Sequence, residues 1–320
     1  VWVIIMKIIL PGGSGQIGTA LARSLHAEGH EVVVLSRSPA VTPWRTVFWD
    51  SETLGPWATE LDGADAVINL AGRSVNCRYT PANRDEIKQS RVITTRLIGK
   101  AILSASAPVR VWLNSSTATI YAHRYDAPND ELTGIPGSQD TNSPDTWRFS
   151  IDVAESWERA ADEFDLPDTR LVKLRTAMTM GPGRGGVFDV FVGLARKGLG
   201  GTLGDGRQYV SWIHEEDCIR AMLWLIEQKD LSGAVNICSP NPLPNKDFMR
   251  GLRKACGAPG GLPATKWMLE IGTFLMRTEA ELILKSRRVV PRRLLGSGFT
   301  FSYPTWPQAA FDLFRRRQDN

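Results

Sequence analysis

The chain has 320 residues, 42% hydrophobic and 22% charged, an ordinary globular composition with room for one large α/β domain and a smaller lobe. Its 38 basic residues against 34 acidic ones leave a net charge of only +4, so composition does not point to nucleic acid. The four cysteines (Cys77, Cys218, Cys238 and Cys256) stand far apart with no C-x-x-C pair. Neither a zinc ribbon nor a disulfide framework is expected, and a reducing, cytoplasmic setting is the simplest reading.

The chain opens VWVIIMKIIL, which lacks a basic start and a small-residue cleavage site and leads directly into a glycine turn. Met6–Leu10 therefore reads as a first strand and not as a signal peptide. No other apolar run approaches the ~20 residues of a membrane span, so no membrane association is expected. Further strands are expected at Glu31–Leu35, Val47–Trp49, Ala66–Leu70, Arg110–Asn114 and Arg170–Leu174. Helical spacings lie between several of them, such as Ile17, Leu21 and Leu25 on one face. This alternation predicts an α/β fold, a Rossmann-type doubly wound parallel sheet with right-handed crossovers. After Gly181 the chain is rich in glycine and proline, and a strand–helix pattern returns at Tyr209–Glu227. Beyond Pro240 it reads as mostly helical, with Pro291 and Pro304 as breakers. The expected division is a dinucleotide-binding domain of residues 6–174 and 209–240, with a small, mostly helical substrate lobe of residues 175–208 and 241–320.

The first turn carries the clearest chemistry. Gly12, Gly15 and Gly18 have G-x-x-G-x-x-G spacing between a strand and a helix. Backbone N–H groups at such a helix start, with the positive end of the helix dipole, suit a pyrophosphate, and glycines keep its approach open. Gln16 and Ile17 would share the contact. A site for NAD usually places Asp or Glu about 20 residues after this motif, on the ribose 2′-hydroxyl. Here the second strand ends in Ser36-Arg37-Ser38, with no acid. A guanidinium and two hydroxyls suit a 2′-phosphate, and charged hydrogen bonds of roughly 1.5–3 kcal/mol imply about 10- to 150-fold preference for NADP(H).

With these motifs in view, the chain resembles the extended short-chain dehydrogenase/reductases. The resemblance rests on Gly12–Gly18, Asp50, the Asn69-Leu70-Ala71-Gly72 turn and Ser115-Ser116-Thr117-Ala118-Thr119-Ile120-Tyr121. Gly204-Asp205-Gly206-Arg207-Gln208, Ser211-Trp212-Ile213-His214 with Asp217, Pro240-Asn241-Pro242 and Val290-Pro291-Arg292-Arg293-Leu294-Leu295 narrow it. Together they look like the atypical subgroup of epimerase family proteins, which carries a C-terminal domain of unknown function. The likeness runs over residues 6–315. It implies that Leu70, Ala71 and Gly72 lie along the cofactor's ribose and pyrophosphate, and that Asp50 lies near the adenine. Ser115, Glu86 and Arg91 would fall on the cofactor side, although an exposed helix charge explains Glu86 as well.

The superfamily transfers hydride beside a Tyr-x-x-x-Lys pair, in which lysine and the cofactor lower the tyrosine pKa. Four residues after Tyr79, Tyr121, Tyr125, Tyr209 and Tyr303 stand Asn83, Tyr125, Asn129, Ile213 and Pro307, so the pair is absent. The helix expected at Trp147–Ala161 carries Phe149 and Val153 in its place, an apolar helical spacing that also suits a core. Thr117 matches the superfamily's Ser/Thr position, with Ser116 as the alternative if the loop shifts by one. Tyr121 and Tyr125 each offer a displaced phenol without a lysine partner, and such a phenol keeps a pKa near 10. His214 reads as structural, at a strand end before an acidic first helical turn. No metal site is expected.

The expected function is an NADP(H)-dependent oxidoreductase or epimerase-like enzyme on a small carbonyl or alcohol. The alternative is a catalytically inert NADP(H)-binding sensor or scaffold protein. A nucleotide-diphosphate sugar is not the expected substrate. Val210 stands where sugar-binding members usually have an arginine, and Ala118-Thr119 follow Thr117 where the dehydratases carry Asp-Glu. Arg207, three residues before Val210, is discounted because the two would point to opposite faces of a strand. The pocket lining is expected from Met178, Phe188, Phe191 and Trp212.

Overall fold

Short β-branched runs bounded by glycine and proline give the strands, and helices with one apolar face return the chain between them. A computed structural model describes residues 5–265, 279 and 281–319. The strands of the central sheet are β1 (Lys7–Pro11), β2 (Glu31–Ser36), β3 (Arg45–Phe48), β4 (Ala66–Asn69), β5 (Val111–Thr117) and β6 (Arg170–Thr176). Two short strands, β7 (Met178–Met180) and β8 (Tyr209–Val210), come next, then β9 (Trp212–His214), β10 (Gly233–Ile237) and β11 (Leu243–Pro244). Seven of them form one parallel sheet in the order β10-β6-β5-β4-β1-β2-β3. The order reverses between β1 and β4, and there the ends of both strands open onto the glycine turn. Ligands of doubly wound sheets bind at this switch point.

Helices α1 (Gln16–Ala27), α2 (Pro81–Ser104), α3 (Asp145–Asp162) and α5 (Glu215–Glu227) flank the sheet. Leu21 and Leu25 of α1 pack with Leu225 and Ile226 of α5 on one side, against Ile8, Val34 and Ile68. Leu97 and Ile98 of α2 cover Ile9, Val33 and Val67 on the other. The spacing Ile17, Leu21, Leu25 thus faces the sheet as expected, with Ile17 at its margin.

A separate apolar cluster joins α4 (Val187–Arg196), α6 (Asn245–Cys256) and a last helix from Trp306 to Asp319. At its centre Trp306 stacks on Phe248 with ring centroids 4.1 Å apart and donates to the Phe248 carbonyl at 2.8 Å. Between α6 and that helix lie α7 (Glu281–Leu284) and α8 (Arg292–Gly296). Residues 266–278 of the expected lobe lie outside the described residues.

Several expectations need correction. The seventh sheet strand is Gly233–Ile237, which carries no strong strand pattern, whereas Tyr209–Val210 and Trp212–His214 pair outside the main sheet with β11 and β7. Strand β5 runs on to Thr117 because its polar end keeps pairing with Leu174, Arg175 and Thr176 of β6. Leu294 and Phe299, from the expected lobe, pack into the core of the sheet.

Candidate functional site: a cavity between the glycine turn and the C-terminal segment

A cavity of about 560 Å³ runs along the switch point. Gly12, Gly15, Gln16, Ile17, Gly18 and Leu70 line one end. Ser115, Ser116, Thr117 and Arg91 follow, and Tyr79, Phe149, Ser150 and Glu281 stand farther along.

The turn is shaped by two tight approaches. Gly12 has φ +73°, a left-handed value, and a Cβ there would sit 2.6 Å from the Ala71 Cα. A Cβ on Gly18 would lie 2.5 Å from the Gly13 Cα, so glycine lets α1 pack against its own turn. The start of α1 has no side-chain cap, since its N-cap is Gly15. The first-turn N–H groups of a helix have no partner within it, and Gln16, Ile17 and Gly18 of this first turn line the cavity.

Buried amides fix the neighbouring strand ends. Asn69 donates to Asn114 Oδ1 at 2.8 Å and accepts the Ala71 N–H at 3.1 Å, while Ser115 Oγ donates to the Asn69 carbonyl at 2.7 Å. Thr95 receives the Trp157 indole N–H at 3.0 Å. These bonds hold the Leu70–Gly72 turn beside the glycine turn. Arg91 lies against Gly72 and over the Trp157 ring at 4.9 Å, donating to the Ile87 carbonyl at 2.8 Å. Burial lowers its pKa to about 10.

Other expected cofactor residues sit outside the lining. Ser36 is buried at the end of β2, with Oγ 3.2 Å from Ser14 Oγ of the glycine turn, and Arg37 and Ser38 follow it exposed. Asp50 accepts the N–H groups of Glu52 and Thr53 at 2.9 Å and the Thr53 hydroxyl. Those bonds hold its pKa below the ordinary value, and the Thr53 hydroxyl is the largest cause. Ala71 is buried behind its turn, and Glu86 is an exposed helix residue paired with Arg73.

The three hydroxyl candidates for chemistry fare differently. Thr117 lines the cavity, and its hydroxyl accepts the Thr119 N–H and donates to Thr119 Oγ1, both at 3.2 Å. Ser116 reaches the wall but donates to Glu158 at 2.6 Å. Tyr121 points away from the cavity: its phenol donates to Asn236 at 2.9 Å and accepts from Arg175 at 2.9 Å. Arg175 also pairs with Glu158 at 2.8 Å. Tyr121 is therefore a buried structural phenol, its pKa raised chiefly by burial. His214 is structural too, since its Nδ1 accepts the Glu216 N–H at 3.1 Å and its Nε2 lies 3.2 Å from Asp312.

Phe149 and Val153 both face the cavity, so α3 presents apolar groups where the superfamily pair would stand. The expected lining of Met178, Phe188, Phe191 and Trp212 is incorrect. These four pack in the lobe cluster around Trp306, because an apolar side chain is drawn to the nearest close-packed core. Val210 is buried in the same cluster, and Arg207 lies over the Tyr125 ring at 5.6 Å. Among the described residues no group of His, Cys, Asp and Glu is arranged to hold a metal, and no helix is long and apolar enough to cross a membrane.

Sequence reasoning missed Val75 and Tyr79 on the loop after β4, Ser150 on α3, and Glu281. Ser150 had a local signal, its place three residues before Val153 on the same helix face. The others had none, since the fold brings them from distant segments.

The sequence pattern of the NAD dependent epimerase/dehydratase family matches residues 8–238. The chain belongs to that family. A second pattern, a domain of unknown function (DUF1731), matches residues 264–313 and contains Glu281. The chain is 32% identical to the epimerase family protein SDR39U1 of Bos taurus over 93% of its own length and 96% of that protein. A crystal structure of the human epimerase family protein SDR39U1 with NADPH superposes at a TM-score of 0.85, with 30% identity, covering 97% of this chain and 99% of that one. A nucleoside-diphosphate sugar epimerase from Corynebacterium glutamicum superposes at 0.75, with 26% identity, covering 99% of this chain and 61% of that one. This member of the family thus has the extended short-chain dehydrogenase fold together with the C-terminal domain of its epimerase family relatives.

Proposed function

We propose that the chain is an NADP(H)-dependent oxidoreductase, or an epimerase-like enzyme, acting on a small alcohol or carbonyl compound. Gly15 carries this reading. Its φ of −73° and ψ of 173° suit any residue, and a Cβ on it meets no protein atom nearer than 3.7 Å. Neither backbone nor packing calls for glycine there, yet the residue lines the cavity beside the uncapped start of α1. A ligand lying against the backbone supplies the missing reason, and a pyrophosphate fits both the space and the helix dipole. Gly12–Gly18 would hold it, with Leu70, Ser115 and Arg91 farther along. The bound dinucleotide would supply hydride chemistry.

The phosphate on the adenosine ribose would fall to the exposed Arg37 and Ser38, where β2 ends without an acid. The human relative crystallised with NADPH supports the same choice. The test is a pair of fluorescence titrations. NADPH should bind about 10- to 150-fold more tightly than NADH, and Arg37→Glu should erase that margin. Equal dissociation constants in the parent protein would overturn the assignment.

The rival reading is a catalytically inert NADP(H)-binding sensor, and the apolar Phe149 and Val153 on α3 favour it. The polar wall opposite the glycine turn weighs against it.

A further inference from the structure

The far end of the cavity holds polar groups that neither the glycine turn nor the family motifs account for. Tyr79 is buried on the loop after β4, and its ring meets Phe149 edge-on at 5.0 Å. The Ser150 hydroxyl is a hydrogen-bond partner of the Tyr79 phenol and donates to Glu281 Oε2 at 3.2 Å. Glu281 is buried, and its other oxygen accepts from Arg287 at 2.8 Å. Arg287 Nε in turn reaches Thr119 Oγ1 at 3.2 Å, beside Thr117. Tyr79, Ser150, Glu281, Thr117 and Thr119 all line the cavity. The segment carrying Glu281 also fixes the loop, because Glu279 accepts the Tyr79 N–H at 2.8 Å.

A buried carboxylate in contact with an open cavity is costly unless it is paired, and here the pairing leaves it joined through a serine to a phenol. Resting on the oxidoreductase reading above, we infer that Tyr79, Ser150 and Glu281 form the proton-transfer chain of this cavity, replacing the absent tyrosine–lysine pair, for a neutral secondary alcohol and its ketone. Val75, Ile87, Phe149 and Val153 offer the carbon skeleton an apolar wall. An added carboxylate on the substrate would face Glu281.

In the oxidative direction the substrate O–H proton passes to the Tyr79 oxygen. The phenol proton moves to Ser150, and the serine proton to the Glu281 carboxylate. The substrate C–H bond breaks, its electron pair and hydrogen leave as hydride to the dinucleotide, and the C=O bond forms. Tyr79 begins and ends neutral. Burial and the nearby Glu281 push its pKa up to about 12, which would disable a base that had to hold a phenolate. A relay member never forms one.

The test compares the parent with Tyr79→Phe, Ser150→Ala, Ser150→Thr and Glu281→Gln. The probes are small secondary alcohols from 2-butanol to 1-phenylethanol, their ketones, and carboxylates of matching size. NADPH affinity, read by fluorescence, should be unchanged in every variant; failure of the parent to bind NADPH would count against the cofactor reading instead. With NADP present, at least one alcohol should raise the melting temperature of the parent, and Tyr79→Phe should lose that shift. Turnover of that alcohol should fall by about 100-fold or more in Ser150→Ala and Glu281→Gln, with Ser150→Thr restoring most of it. Undiminished turnover in Ser150→Ala, a larger melting shift with carboxylates, or no shift from any probe would overturn the inference.

Discussion

The glycine turn takes all its parts from consecutive residues, Gly12 to Gly18, and works through backbone. The wall opposite assembles Tyr79, Ser150 and Glu281 from three segments far apart in the chain and works through side chains held by buried charge. Damage to the first should therefore come from added atoms, and damage to the second from lost partners.

The largest expected effect tests the backbone half of that contrast. Gly12→Val adds left-handed strain and an overlap with Ala71, about 2 kcal/mol each, so chemical denaturation should show a loss of about 4 kcal/mol. Gly15→Ala, one turn away, should cost about 1 kcal/mol or less of stability while clearly weakening NADPH. Equal stability losses for the two would break the distinction between glycines needed by the fold and one needed by a ligand.

Arg175→Leu tests the loss of a buried charge partner, here behind Ser116. It strands Glu158 inside the protein with Ser116 as its remaining partner among the described residues and should cost about 3 kcal/mol. Unchanged stability would show that the Arg175–Glu158 pair behind Ser116 is not needed to hold this side of the cavity.

Lys285 sharpens the comparison through pH. It is buried, it donates to the Thr119 carbonyl at 2.7 Å, and burial with nearby Arg287 lowers its pKa from 10.5 to about 7, partly opposed by Glu281 and Asp140. Below pH 7 the lysine is charged in both folded and unfolded protein, and the full penalty of burying the charge applies. Between about 7 and 10.5 the folded protein sheds a proton that the unfolded chain keeps, so stability rises with pH. Lys285→Met should therefore gain most over the parent below pH 7, the gap narrowing by up to about 1.4 kcal/mol per pH unit above it. A gap independent of pH would contradict this.

The smallest effect falls beside the far wall. Thr80 caps α2 by accepting the Asn83 N–H at 3.3 Å, directly after Tyr79. Thr80→Ala should cost about 1 kcal/mol, read as a small fall in melting temperature.

The same contrast explains what could be read from the sequence. The glycine turn, β1, β2 and the helix carrying Phe149 were legible because local pattern specifies them. Strand β10 was not, because Gly233-Ala234-Val235-Asn236-Ile237 has neither alternation nor a long apolar run and gains its place by pairing with β6. Asn69 and Asn114 fall at the ends of expected strands, but only the pairing of those strands brings their side chains within 2.8 Å of each other. Phe188 and Trp212 are pocket candidates by hydrophobicity alone, which does not tell a cavity wall from a core. Tyr121 reads in sequence as a displaced phenol without a lysine partner, and the turn after β5 carries it away from the cavity into the Arg175 network.

The packing of Leu294 and Phe299 among the side chains of the sheet has a bearing on how such a protein can be inherited and engineered. The two matching family patterns end and begin at residues 238 and 264, which invites the view of two exchangeable modules. A chain cut between them would keep every residue of the glycine turn but expose the sheet's own interior, lose Glu281 from the cavity and lose the Glu279 carboxylate that holds the Tyr79 N–H. Recombination at that boundary should therefore yield insoluble chimeras, and the two parts must change together.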